Sequence, residues 1–341
     1  MLLDFDARDL IDDLLEVTIV GSFSRLGPAV RRRAFAWEQP APGALSGKTA
    51  LVTGPTSGLG RHVAGELAAV GARVVLVGRS ADRLASVRDD LVARHGADRF
   101  PIVVADMGSL ASVRDAAARV LATESRLDVL IDNAGAMFPE RTIGPDGIEA
   151  TLATLVVGPF ALVSGLVPLL ARTPGSRVIA VTSGGQYAQA LDLDDLESRD
   201  GTYDGTRAYA RAKRAQVALI REWARRLGAA GITFDSMHPG WTDTPGLSRA
   251  LPRFARLMGP LLRTPAEGTD TITWLATTGD REAPGGSLWL DRRPRPFDRL
   301  PSTRSTAADR RRLWDVVAGL SSHPHPGRLT PTSTPVTGRS R

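Results

Sequence analysis

Cysteine is absent from the 341-residue chain. That excludes disulfides, thiolate metal ligands and a cysteine nucleophile. Lysine is almost absent: of 43 Lys and Arg residues, only Lys48 and Lys213 are lysine. The 5 histidines show no His-x-x-x-His or Glu-x-x-His spacing, so no metal site is expected. Aromatics make up 5% and include three tyrosines, Tyr187, Tyr203 and Tyr209. No uninterrupted apolar run reaches the about 18 residues of a membrane-crossing helix. The start of the chain carries acids at positions 4, 6, 9, 12 and 13, unlike the basic start and apolar core of a secretory signal. A cytoplasmic protein is therefore expected.

The net charge is +6, with arginine runs at Arg31–Arg33 and Arg310–Arg312. Such runs can attract phosphates, nucleic acid or anionic lipid, but more often they are a solvated face. Nothing resembles a zinc finger, a basic zipper or an RNA-binding sheet motif, so no nucleic-acid partner is expected.

The 43% hydrophobic and 23% charged content is that of an ordinary globular protein. Residues 1–45 read as an extension. Leu10, Ile11, Leu14, Leu15, Thr18 and Ile19 fall at helical spacing. Because the polar face of that helix is acidic, packing on the domain is expected ahead of membrane-surface contact through residues 1–40. Pro40, Pro42 and Gly43 read as a linker. From residue 46 to 320 the pattern alternates. Short apolar runs at 49–53, 73–77, 102–105, 129–131, 177–182, 233–237 and 287–290 predict seven strands. Amphipathic stretches near 58–70, 80–95, 108–124, 148–171, 207–229 and 265–277 predict helices. Near-continuous apolar strands separated by helices imply an α/β fold, one doubly wound (Rossmann) domain with a mostly parallel sheet covered on both faces. The proline-bearing stretch 245–264 reads as a substrate lid. The tail 321–341 reads as disordered from its composition.

Two motifs carry chemistry. The turn Gly54-Pro55-Thr56-Ser57-Gly58-Leu59-Gly60 follows the first predicted strand and opens a helix. There the backbone can approach a pyrophosphate and the helix N-terminus can face its charge. Tyr209-x-x-x-Lys213 places a phenol and an ammonium on one helical face. A free phenol is a poor base near neutral pH, and an adjacent ammonium favours the phenolate. Ser183, after the fifth strand, can orient a substrate oxygen. Between these motifs, Asp106-Met107 closes the third strand and Asn133-Ala134-Gly135 the fourth. The second strand ends in Gly78-Arg79, where an acid would favour NAD. Arg79 and Arg61 instead favour a 2′-phosphate, hence NADP(H) over NAD(H). Together these point to a nicotinamide-dependent oxidoreductase.

In this order the motifs resemble the short-chain dehydrogenases/reductases over about residues 46–290. The resemblance implies that Tyr209 donates or accepts the proton between carbonyl and alcohol. It implies that Lys213 lowers the Tyr209 pKa and holds the nicotinamide ribose, and that Ser183 binds the substrate oxygen. Pro239, Gly240, Thr242 and Thr244 would hold the carboxamide side of the cofactor. A homo-oligomer through the helices bearing Phe160 and Tyr209 is implied as well. A narrower resemblance, to the dehydrogenase/reductase member 12-like branch, rests on His238 to Gly246, Leu262-Arg263-Thr264, Trp274-Leu275-Ala276, Asp291-Arg292 and Leu313-Trp314. One departure stands out: Leu155 occupies the place where many members carry an Asn that seats a relay water. The reading is therefore a carbonyl/alcohol oxidoreductase with a small, lipophilic substrate. The alternative is a catalytically weak cofactor sensor or scaffold of the same fold.

Overall fold

The computed structural model describes residues 7–96, 99–279 and 281–322. Its centre is one eight-stranded sheet in the order β3-β2-β1-β4-β5-β6-β7-β8. The strands are β1 (Thr49–Thr53), β2 (Arg73–Gly78), β3 (Ile102–Val104), β4 (Val129–Asp132), β5 (Arg177–Val181), β6 (Thr233–Met237), β7 (Leu288–Leu290) and β8 (Arg293–Arg295). All pairings are parallel except β7 with β8. Both faces are covered, so β1 and β4 are buried along their whole length. This explains why they read as unbroken apolar runs.

One face carries α4 (Gly58–Ala69), α5 (Ala81–His95) and α12 (Pro265–Thr277). The other carries α6 (Leu110–Thr123), α8 (Gly158–Ala171) and α9 (Gly205–Leu227). Before α8, α7 (Ala150–Leu152) passes through a π turn at Ala153–Val157. By length and composition the stretch Ala150–Ala171 could cross a membrane, but 67% of its apolar window is buried in the fold. It is a core helix whose Thr, Gly, Pro and Ser residues interrupt the apolar run.

Two elements escaped the sequence pattern. β8 is Arg-Pro-Arg, with its proline tolerated on a sheet edge. It is reached by a two-residue turn in which Asp291 and Arg292 take φ of 54° and 59°, the geometry usually given to Asn-Gly. Buried ion pairs hold the turn instead. Asp291 accepts from Arg31 and Arg263 at 2.6 Å, and Arg292 donates to Asp270 at 2.7 Å. The second element is α13 (Ala307–Ser322). Its Trp314 packs edge-on against Phe160 and Trp223, so the chain's own helix covers α8 and α9.

The extension folds into α1 (Ala7–Val17), α2 (Ile19–Phe23) and α3 (Leu26–Ala34). It packs on the domain, but by the face opposite to the one amphipathicity suggests. Asp12 and the Arg31 guanidinium are buried, while Leu14 and Val17 are 62% and 82% exposed. Arg31 binds Asp12 at 2.6 Å and Glu16 at 2.7 Å, and Arg295 binds Asp12 at 2.7 Å. The acidic stripe thus faces inward because it meets arginines. Segment 245–264 forms α10 (Pro245–Ala250) and α11 (Pro252–Met258). The tail from 323 to 341 lies outside the described residues.

Candidate active site

The sheet order reverses between β1 and β4, and ligands of such sheets bind beyond the strand ends there. A cleft of about 1290 Å³ opens at that point. It gathers Gly54, Thr56, Ser57, Gly58, Leu59, Gly60, Arg79, Asp106, Met107, Asn133, Ala134, Gly135 and Thr244. The glycines are needed for space. Gly54 has φ of +67°, and a Cβ on it would stand 3.0 Å from the Ala134 Cα. A Cβ on Gly60 would stand 2.2 Å from the Gly54 carbonyl oxygen and 2.4 Å from Asn133 Nδ2. The Thr53 hydroxyl accepts the amides of Asn133 and Ala134 at 2.9 Å, and Asn133 Nδ2 donates to the Thr53 carbonyl at 2.9 Å. The first and fourth strand ends are thereby locked together.

Arginine dominates the charge of the cleft. Arg79, Arg83, Arg207 and Arg249 line it, against Asp106 and Asp204. Arg83, on the first turn of α5, is a residue that sequence reasoning missed. A charged side chain there reads as surface until the strand order places it beside Arg79. Arg61 is placed differently from Arg79. It is not among the lining residues, and its guanidinium pairs with Asp90 on α5. Pro239, Gly240 and Thr242 also stand off the lining. They shape the loop instead: the Thr242 hydroxyl donates to the Pro239 carbonyl at 3.0 Å. A Cβ on Gly240 would meet Arg263 at 2.4 Å and the Phe23 carbonyl oxygen at 2.5 Å.

Ser183, two residues after β5, and Tyr209 and Lys213, on α9, are not among the residues that line this cleft. Ser183 Oγ accepts the Gly185 amide at 3.2 Å, and its hydroxyl acts on the Tyr209 phenol. Burial pushes the Tyr209 phenol up to about 12, and the Ser183 hydrogen bond opposes this. Lys213 Nζ lies 5.8 Å from the Tyr209 ring centroid. This Nζ donates to the Val181 carbonyl at 2.7 Å and to Gln216 Oε1 at 3.2 Å. Burial also pushes Lys213 down to about 8, against the charge of Asp132.

A buried chain behind Lys213 was not read from the sequence. Gln216 Nε2 donates to Asp132 Oδ2 at 2.6 Å. Asp132 Oδ1 has no partner among the described residues, and burial pushes its carboxyl up to about 6. The two residues lie 84 positions apart, so no local spacing signals them. Leu155 sits in the π turn, fully buried. A Cβ on Gly135 would be 3.2 Å from its Cδ2, so Leu155 packs beneath the Asn133–Gly135 loop.

A family model described as short chain dehydrogenase matches residues 48–193. The chain is 37% identical over 279 residues to the Bos taurus protein named dehydrogenase/reductase SDR family member 12, covering 81% of this chain and 87% of that one. It is also 37% identical over 278 residues to a Streptomyces protein named for daunorubicin C-13 ketoreduction, covering 81% and 93%. A solved structure of an uncharacterized Mycobacterium paratuberculosis protein matches with TM-score 0.66 and 27% identity, covering 84% of this chain and all of that one.

Proposed function

The chain belongs to the short-chain dehydrogenase/reductase family and acts as an oxidoreductase on carbonyl or alcohol groups; from that premise we propose that it prefers NADP(H) and uses Tyr209 as its proton donor and acceptor. The observation that carries the cofactor preference is the pair Arg79, just after β2, and Arg83, on the first turn of α5, both lining the cleft. Guanidinium groups recognise phosphate oxygens by paired hydrogen bonds; no acid stands at Gly78 to Ser80 to select a 2′-hydroxyl, and Asp82 is not among the cleft's lining residues.

The residues present fit a dinucleotide. The Gly54–Gly60 turn has backbone where a Cβ would clash, and α4 begins there at Gly58, a helix N-terminus of the kind that favours phosphate. Thr244 and the Asn133–Gly135 loop flank the far part. A bound nicotinamide would supply or accept hydride, and its oxidised form would add positive charge that favours a phenolate. Ser183 orients the substrate oxygen and favours the phenolate. Tyr209 gives its proton to the developing alcohol, or takes one in the reverse direction. Gln216 and the Val181 carbonyl hold Lys213 near the Tyr209 ring.

Ala136, Met137, Phe138 and Pro139 form an apolar wall of the cleft, with Ala250 of α10 opposite. This supports a lipophilic carbonyl compound as substrate, under segment 245–264 as its lid. A homo-oligomer, if formed, uses a face other than α8 and α9, which α13 covers. A cytoplasmic setting belongs to the same proposal and is checked by cell fractionation. The sensor alternative drew on Leu155. That residue packs under the cofactor loop, and a sensor has no use for Ser183, Tyr209 and Lys213 together.

The test is turnover of NADPH and NADH against aldehydes and ketones from small to lipophilic, with a Tyr209→Phe protein in parallel. Faster turnover with NADPH, abolished in Tyr209→Phe, supports the proposal. Equal use of NADH, or activity that survives the substitution, overturns it.

A further inference from the structure

Helix α1 turns its acids inward, and this leaves an apolar surface outside. Asp12 and Glu16 point to Arg31, Arg295 and Arg299, and Asp9 reaches Arg293 at 2.6 Å. Leu10, Leu14 and Val17 lie on the opposite side, at the spacing of one helical face. Ile19 and Val20 on α2 and Leu26 on α3, in helices packed against α1, are exposed as well. Of the thirteen large hydrophobic residues exposed among the described residues, eight fall between positions 10 and 30. Single exposed apolar residues need no explanation, but a cluster marks an interaction face.

The ion pairs fix this orientation. Arg31 is fully buried and bridges α1 to the β7–β8 turn. Arg263 is nearly as buried and binds the carbonyls of Ser22 and Phe23 at 2.6 and 3.0 Å. Rolling α1 over to bury its leucines would strand several buried charges. The apolar face therefore stays outward in the isolated chain.

Its occupant follows from the surrounding charge. Arg25, Arg32 and Arg33 are exposed on α3 or at its start, as are Arg253 and Arg256 on α11. Asp13 and Glu38 are the exposed acids of the segment that no ion pair takes up among the described residues. The α11 helix adjoins the patch: the Arg25 amide donates to the Leu261 carbonyl at 3.0 Å, and Leu257 is 80% exposed. A second copy laid on this face by twofold symmetry would bring arginine against arginine. Anionic lipid headgroups would meet the arginines while the leucines entered the acyl boundary.

We propose that the outer face of α1–α3, together with α11, docks on an anionic lipid bilayer. The protein would lie on the membrane and not span it. Docking sets α10, whose Gly246, Arg249 and Ala250 line the cleft, beside the bilayer, from which an apolar substrate can enter. The docking itself does not depend on the catalytic reading.

The experiment is flotation of the full chain with phosphatidylcholine vesicles, with and without phosphatidylglycerol, beside Leu14→Asp/Val17→Asp and Arg32→Ser/Arg33→Ser proteins. All four positions are exposed, so these variants keep the fold, and unchanged NADPH binding verifies it. The wild-type protein should float with anionic vesicles and weaken with added salt. Either variant should lose at least ten-fold in partitioning. No flotation with either vesicle overturns the proposal, as does flotation that both variants retain. A concentration-dependent dimer that Leu14→Asp/Val17→Asp dissolves, without vesicle binding, would assign the face to a second copy and also overturn it.

Discussion

Replacing Gln216 with methionine keeps the length of the side chain and removes both halves of its amide. The Lys213 ammonium then keeps the Val181 carbonyl at 2.7 Å and loses its bond to Gln216 at 3.2 Å. Asp132 loses its bond at 2.6 Å, and its other oxygen already has no partner among the described residues. Both stranded groups are buried. Each buried polar group left unsatisfied costs about 1–3 kcal/mol, with charged groups higher. Gln216→Met should therefore lose roughly 2–6 kcal/mol of stability, read from urea unfolding midpoints. Lys213 is freed beside Tyr209, so kcat should fall about 10-fold or more in NADPH oxidation. The double swap Asp132→Asn/Gln216→Glu keeps a hydrogen bond at both junctions and should recover much of both losses. If Gln216→Met stays within about 0.5 kcal/mol of wild type with unchanged kcat, Gln216 does not hold Lys213. If the double swap is no better than Gln216→Met, hydrogen bonding is not the cause.

Three further outcomes follow. Arg79→Ser and Arg83→Ser should each raise the KM for NADPH about 10-fold through loss of a charge-assisted bond, with little change for NADH, whereas Arg61→Ser should change neither; steady-state kinetics reads this. The Asp132 charge supports the Lys213 proton, so Asp132→Asn should lower the Lys213 pKa below its value of about 8. The alkaline fall of kcat/KM should then shift to lower pH, and a shift to higher pH would contradict this. Asp12 is buried, which alone would raise its pKa, but its bonds to Arg295 and Arg31 win and hold it below 3.8. Its contribution is therefore complete above pH 3.8 and is lost as pH falls through the lowered value, so acid should release α1–α3 from the domain, seen as protease cleavage in this segment.

The sheet was legible because parallel strands buried on both faces need apolar residues at every position, as in Thr49–Thr53 and Val129–Asp132. The glycine turn and the Tyr209–Lys213 pair were legible because backbone approach and helical spacing are local requirements. Other features depend on distant partners. Arg31 looks solvated within an Arg-Arg-Arg run and is buried because Asp12, Glu16 and Asp291 arrive from elsewhere. Periodicity showed that α1 has two faces but could not say which one points inward. Asp291–Arg292 carries no turn signature, since ion pairs enforce its left-handed backbone. Arg83 and Arg61 look alike in sequence, and Asp90 decides between them by capturing Arg61. The helix Ala307–Ser322 was missed because three arginines obscure the few apolar positions, Leu313 and Val317, that it buries.

The central claim is that Tyr209 exchanges a proton while NADPH exchanges a hydride with a carbonyl carbon. The most direct measurement is a single-turnover reaction of the wild-type and Tyr209→Phe proteins with NADPH deuterated at the transferring position and a lipophilic ketone, read by mass spectrometry of the alcohol. The account predicts deuterium on the alcohol carbon with wild type and almost none with Tyr209→Phe. Deuterium transfer of equal extent in both proteins would contradict the role given to Tyr209. Tight NADPH binding without any transfer would contradict catalysis itself.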